Sequence, residues 1–333
     1  MCMYGTHSKP LVAKKDIVCV KYLRKEGRKY LTPAQDTPVK LGKVLEPTTQ
    51  LKKVEKAVRL YEFNGGVIHA CAYKTDWWSD AKAFKAIIPA GTEYWVGNHT
   101  NCIVARQLLI TKEEADTNEP DVNMLNDILE NRPTCGDKAV GDYKMKDGSF
   151  VTPFNINDKN RADIIGVIVG FKGDKPLIWS GEFTEPMAID TQYDSKFDEF
   201  TSSPSEDFDG EKHTDAFFKK FGKKFDGKRY QIYAALKKYK PEVGKWYLPA
   251  CGELVTMAEN LMYIQAASYI ANTTLRFSDN AYWLWSSSEN SLGGCWGVYV
   301  GCNGYFATDW SYRRCLHSAC FFLASPSADE ESK

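Results

Sequence analysis

Gly244-Lys245-Trp246-Tyr247-Leu248-Pro249-Ala250-Cys251-Gly252-Glu253-Leu254 runs straight into a stretch with helical periodicity. Leu254, Met257, Leu261 and Ile264, with Ser268 in phase, recur every three or four residues and predict a helix from about Glu253 to Ala271. That stripe is a core face, not a cofactor site. The composition changes at the same point. No Lys occurs between Trp246 and Ser332, although the preceding chain is rich in it, and five of the nine Trp (Trp246, Trp283, Trp285, Trp296 and Trp310) fall in this part.

The change is sharpest over Asn290–Leu323. An average composition would place about eight charged side chains there; this stretch has three, Asp309, Arg313 and Arg314. Two physical readings compete. Val298, Val300, Phe321 and Phe322 suit a buried β core. Asn303, Gly304, Ser311, Tyr312, His317 and Ser318 do not, because each buried polar group costs free energy unless it is paired. A Tyr-, Ser-, Gly- and Asn-rich surface suits binding instead, since Tyr gives contact area at low entropy cost and the small polar residues adapt their hydrogen bonds. The binding reading accounts for more of the residues.

Three pieces, Gly244–Leu254 with its helix, Tyr282-Trp283-Leu284-Trp285-Ser286-Ser287-Ser288-Glu289, and Cys295-Trp296-Gly297, together resemble the C-type-lectin-fold variable proteins of diversity-generating retroelements, of gut Bacteroidetes or phage type. Gly141–Gly148, leading to a strand at Ile164–Phe171, is similar to the opening of the same domain, so the likeness covers about residues 137–323. It implies an α+β fold: a C-type-lectin-like domain, of the type also used by formylglycine-generating enzymes, preceded by a small β-rich domain. It also implies a hypervariable binding face directed at an unknown surface protein or other macromolecular ligand. On that face it places Gly294, Cys295, Tyr299, Cys302, Asn303, Tyr305, Asp309, Ser311, Tyr312, Arg313, Arg314, Cys315 and His317. Beneath them, Trp246, Leu248, Leu254, Leu261, Trp283, Trp285 and Trp296 form a buried scaffold.

Diversification in that family replaces adenines, chiefly at AAC-type codons, from which Lys, Glu, Gln, Met and Trp cannot arise. Asn290–Leu323 contains no Lys, Glu, Gln or Met, and it is enriched in Cys, which can arise. Trp296 and Trp310 would then belong to the fixed scaffold or come from other codons. One departure is the ending: Ser318-Ala319-Cys320-Phe321-Phe322-Leu323 stands where family members often carry an Arg-containing strand.

The rest of the chain sets bounds. At 333 residues it suits two or three domains. Lys+Arg and Asp+Glu both number 43, which lacks the basic excess of a nucleic-acid binder. No apolar run approaches the ~20 residues that span a bilayer. The first twenty residues mix Lys9, Lys14, Lys15 and Asp16 into apolar ones, unlike a signal peptide, which points to a virion component or a cytoplasmic protein. Of the ten cysteines, none forms a C-x-x-C or zinc-finger spacing; reduced thiols are the default, with disulfides open to a protein that ends up outside a cell, and Cys19, Cys71, Cys102 and Cys251 read as core fillers.

Residues 1–110 read as a β-rich domain of unknown role. Its strands are expected at Ile17–Leu23, Phe84–Ile88, Tyr94–Val96 and Ile103–Ile110, with a hairpin of Val58–Phe63 and Val67–Tyr73 around Asn64-Gly65-Gly66. Trp77-Trp78 reads as a strand-end pair packed on the core. Residues 111–136 read as an acidic linker with one helix, Asp121–Glu130. Further helices are expected at Thr214–Phe225 and Arg229–Tyr239, and residues 324–333 form an acidic tail.

No cofactor and no metal is expected, and an oligomer remains compatible with the sequence. Calcium-dependent sugar binding lacks its acidic ligand motifs. As alternatives to the binder, Cys315 and Cys320 are a spaced pair for a formylglycine-generating-type oxidase, Ser311, His317 and Asp309 can be written as a hydrolytic site, and a structural phage or surface component is a third role.

Overall fold

The computed structural model describes residues 3–5, 9–33, 37–47, 49, 52–57, 60–64, 67–75, 80–98, 101–192, 203–277, 281–291, 294–301, 306–312 and 314–324. It is a mixed α/β chain in which antiparallel sheets dominate. The chain divides into one compact unit up to Asn131 and a second from Arg132 onward.

The first unit is built on a large sheet. Its long strand Ile17–Glu26 pairs with Lys82–Ile88 over seven residues, from Ile17↔Ile88 to Leu23↔Lys82. Phe84, Ala86 and Ile88 alternate inward along Lys82–Ile88, the period of a half-buried strand. Two expectations are corrected here. Leu60–Asn64 pairs with Lys52–Ala57 and Met3–Gly5, whereas Ile68–Cys71 pairs with Cys102–Ala105 and Ile17–Glu26. The expected hairpin around Asn64 therefore does not form. Ile68, Ala70 and Cys71 are all buried, so that strand belongs inside the large sheet, and long-range pairing overrides the turn signal. Residues 103–110 likewise make two strands, Cys102–Ala105 and Leu108–Glu114, separated at Arg106-Gln107. Gly65-Gly66 and Trp77-Trp78 lie outside the described residues.

Residues 111–131 are not a free linker. The helix Val122–Glu130 buries Met124, Leu125, Ile128 and Leu129. Asp121 caps it by accepting the Asn123 N–H at 2.7 Å, and its other oxygen accepts the Val18 N–H at 2.9 Å. One carboxylate thus satisfies an orphan helix donor and ties the helix to the sheet. Tyr94 donates to Asp127 on the same helix at 3.0 Å.

The second unit holds a six-stranded sheet in the order Phe150–Val151, Tyr143–Met145, Ile164–Lys172, Lys175–Trp179, Phe322–Leu323, Trp246–Tyr247. A separate three-stranded sheet is formed by Tyr282–Ser291, Gly294–Val300 and Phe306–Tyr312. Helices Gly210–Phe221 and Gln231–Lys238 pack Phe217, Ile232, Tyr233 and Leu236 into a core shared with Ile168, Ile178, Trp246, Leu248, Trp285 and Phe321.

The helix expected over residues 253–271 is two helices, Cys251–Glu259 and Leu261–Ile270, parted at Asn260. Asn260 donates its side-chain amide to the Val169 carbonyl at 2.9 Å, a tertiary bond that periodicity does not register. Nor is the second helix striped: every residue from Leu261 to Ser268 is buried. The first lies so close to the Ile164–Lys172 strand that a Cβ on Gly170 would stand 2.3 Å from Thr256 Cγ2. Glycine is the residue that permits this approach.

Candidate binding surface

The sequence motifs around Trp246 and Trp285 meet through hydrogen bonds. Ser288 Oγ accepts the Cys251 backbone N–H at 2.8 Å and donates to Asp207 at 2.6 Å, and Ser287 N–H reaches the Pro249 carbonyl at 2.8 Å. Ser286 Oγ donates to the Trp296 carbonyl at 2.7 Å. These serines are buried, and their hydroxyls satisfy helix-end and strand groups that water cannot reach. At the start of the Cys251–Glu259 helix, Glu253 accepts the Ala250 N–H at 2.8 Å and lies 3.1 Å from the Tyr247 hydroxyl. Burial pushes its carboxyl up to about 8.

The three-stranded sheet stands on this base. Its register runs without interruption from Gly294↔Tyr312 to Val300↔Phe306, so successive side chains alternate between two faces. On one face Leu284, Val298, Val300 and Phe306 are buried. The other carries Trp283, Trp285, Cys295, Gly297, Tyr299, Asp309 and Ser311. Trp285 and Cys295 are closed over there by the segment around His317: the Trp285 indole donates to the Met187 carbonyl at 3.0 Å, and Met187 and His317 exchange backbone hydrogen bonds. On the rest of that face Asp309 is exposed, Trp283, Tyr299 and Ser311 are half-buried, and Gly297 is buried.

The less buried part of that face is a short aromatic shelf with a polar margin. Trp283 pairs with Tyr299 across the strands, their ring centroids 5.9 Å apart, and His317 lies 5.2 Å from Trp283 and 4.7 Å from Trp285. His317 Nε2 is 3.0 Å from Ser311 Oγ. Asp309 sits opposite Gly297, where a Cβ would meet the Leu284 carbonyl at 2.8 Å and Trp283 Nε1 at 3.1 Å. The missing side chain at Gly297 lets the Trp283 indole lie against the sheet. Burial lowers the His317 pKa to about 4, opposed by the Leu316 backbone, so the ring is neutral at pH 7.

The expected site residues therefore divide. Asp309, Tyr312 and Arg314 are exposed, while Tyr299, Ser311, Cys315 and His317 are half-buried. Tyr312 is three residues from Asp309 on one strand, so it faces the opposite side and the residues do not form a single cluster. Gly294 and Cys295 are buried, Cys295 within the core beside Trp285, and they are removed from the surface. Cys302, Asn303, Tyr305 and Arg313 lie outside the described residues. In the scaffold, Trp246, Leu248, Leu254, Leu261 and Trp285 are buried, but Trp283 and Trp296 are half-buried, and Trp283 shares a face with Tyr299 and Asp309. Strand alternation was the signal for these changes: Trp283, Gly297 and Tyr299 share a parity once the register is known.

Of the residues set down for catalysis, Ser311 and His317 meet. Cys320 is buried, which pushes its thiol far up, and Cys315 is half-buried. Among the described residues, no cluster of three or more His, Cys, Asp or Glu is placed to hold a metal ion, and no helix is long and apolar enough to cross a membrane.

No known protein-family profile matches the chain, and no curated protein matches it. Among solved structures it is similar to the crystal structure of a fimbrial protein from Bacteroides ovatus ATCC 8483, at 13% identity and a TM-score of 0.45, covering 93% of this chain and 71% of that one. A likeness at that level assigns neither fold nor function.

Proposed function

We propose that the unit from Arg132 onward is a C-type-lectin-type binding domain, not a catalyst, and that residues 290–320 supply a variable face for a protein or other macromolecular ligand. One observation carries this reading. Exposed Asp309 and half-buried Trp283, Tyr299 and Ser311 share one face of a sheet whose other face buries Leu284, Val298, Val300 and Phe306. Side chains on the first face can change while the base that holds them stays rigid, which is what a site of changing specificity requires. The absence of Lys, Glu, Gln and Met over Asn290–Leu323 supports diversification at adenines as the source of the change.

The test is to sequence this gene from independent isolates. Differences should concentrate at outward positions such as Tyr299, Asp309 and Ser311, arise from adenine-containing codons, and spare Leu284, Gly297, Val298 and Phe306. Differences spread evenly along the chain would sink the proposal.

A further inference from the structure

The first unit contains a pair of cysteines that the sequence, with thirty residues between them, gives no reason to connect. Cys71 ends the strand Ile68–Cys71 and Cys102 begins the strand Cys102–Ala105; the two strands are antiparallel neighbours in which Cys71 lies directly opposite Cys102. The next pair along, Ala72 and Asn101, is joined by a hydrogen bond from the Ala72 N–H to the Asn101 carbonyl at 2.9 Å. Bonded and non-bonded pairs alternate along an antiparallel ladder, so Cys71 and Cys102 occupy a non-hydrogen-bonded pair, the kind with Cα atoms about 4.5 Å apart and side chains closest together. That separation falls within the roughly 4.4–6.8 Å that a disulfide spans. Directly opposite residues also project from the same face of the sheet, so the two Cβ vectors do not diverge.

We propose that Cys71 and Cys102 are a disulfide-forming pair, joined during folding by exchange with a small-molecule disulfide. One cysteine thiolate attacks the small disulfide and displaces one small thiolate. The other cysteine then attacks the mixed disulfide and displaces the second. The two protons lost by the cysteines are taken up by the two small thiols, so two protein thiols are oxidised and one small disulfide is reduced.

The surroundings fit this chemistry, and the register of the described strands singles out this pair. Both side chains are buried, at 6% and 5% exposure, so the exchange takes place before the sheet closes over them. Lys21, on the neighbouring strand, is itself buried and donates to the His69 carbonyl. Its ammonium draws the Cys71 thiol down, whereas burial holds that thiol up at about 11. In the open chain the burial effect is gone, and an ordinary thiol supplies the thiolate that exchange requires. Cys19 is excluded by register: Val20 is the residue opposite Cys71, so Cys19 projects from the other face. Among the described strands no other cysteine is paired with a cysteine; Cys135 faces Lys138, and Cys295 faces Glu289 and Ser311.

The test refolds the full reduced chain in a buffer of oxidised and reduced glutathione, traps remaining thiols by alkylation and maps the peptides. The expected result is one cross-linked peptide pair containing Cys71 and Cys102, with Cys19 alkylated. Melting of the oxidised protein should lie several degrees above that of the same protein reduced. In Cys71→Ala and Cys102→Ala, the remaining partner should become alkylated and that melting difference should vanish. Recovery of both cysteines as alkylated thiols from the refolded wild type, or their linkage to other cysteines, overturns the proposal. The wild-type map decides the matter even if a variant fails to fold.

Discussion

The Tyr247 hydroxyl lies 3.1 Å from the Glu253 carboxyl, which is 2% exposed. Burial raises the carboxyl pKa from 4.5 to about 8, with the Asp207 charge adding to the rise and the bonds to Ala250 and Tyr247 opposing it. A carboxyl whose pKa is raised by folding favours the folded state in its neutral form. Its contribution is complete below pH 4.5 and is lost as pH rises through about 8. Glu253→Gln is neutral at every pH, and its amide can donate to Tyr247 while its oxygen accepts from Ala250. Between pH 6 and 9 the wild type should lose about 2–3 kcal/mol more stability than Glu253→Gln, read from denaturant midpoints. Parallel pH profiles for the two proteins would refute the assignment.

Gly170 tests how tightly the first of the paired helices sits on its strand. A Cβ there meets Thr256 Cγ2 at 2.3 Å. Gly170→Ala should destabilise by about 1–3 kcal/mol, the usual cost of overpacking. Adding Thr256→Ser, which removes that methyl, should recover most of the loss in a double-mutant cycle. Additive effects would place the strain elsewhere.

Trp285 and Trp283 are two residues apart and should behave differently. Trp285 is fully buried and hydrogen-bonded to Met187, so Trp285→Ala should cost about 3–5 kcal/mol. Trp283 is half-buried, and its replacement should cost clearly less in thermal melts. Equal losses would return Trp283 to the buried base.

His317 gives a second pH signature of opposite sense. Its folded pKa of about 4 lies below the ordinary 6.5, so the neutral ring is favoured. The stability it contributes is complete above pH 6.5 and declines as pH falls through about 4. An NMR titration of the ring should place its midpoint near 4, and His317→Asn should remove that part of the acid sensitivity. A midpoint near 6.5 would mean that the ring is not held between the indoles.

Once a ligand is in hand, Tyr299→Ala should weaken binding by about 2 kcal/mol, roughly thirtyfold, while leaving melting nearly unchanged. Tyr312→Ala, on the other side of the sheet, separates a one-faced site from one that wraps the strand edge. Calorimetry with both variants makes the distinction, and unaltered affinity in both would move the site away from this sheet.

The sequence made the buried positions of Trp246, Leu248, Leu254 and Leu261 legible, because large apolar residues before and along a helical period have few other places to go. It did not show that the Ser286 and Ser288 hydroxyls close a buried network with Trp296, Cys251 and Asp207. Asn260 was passed over because the apolar period continues across it, while the break depends on a carbonyl ninety-one residues away. The resemblance implied a surface position for Cys295, yet strand parity and the covering His317 segment put it in the core. In each case the deciding partner is remote in the chain, so local pattern could not name it.

Phe322–Leu323 lies between Lys175–Trp179 and Trp246–Tyr247, two strands that share no hydrogen bonds with each other. The residues that join them are translated after the whole of 290–320. A frameshift or premature stop anywhere in that stretch deletes the joining strand and leaves two open edges in place of one continuous sheet. Missense changes on the face that carries Asp309 leave the joining strand intact. A chain whose frame is broken before Phe322 would therefore expose unpaired strand edges to proteolysis and aggregation.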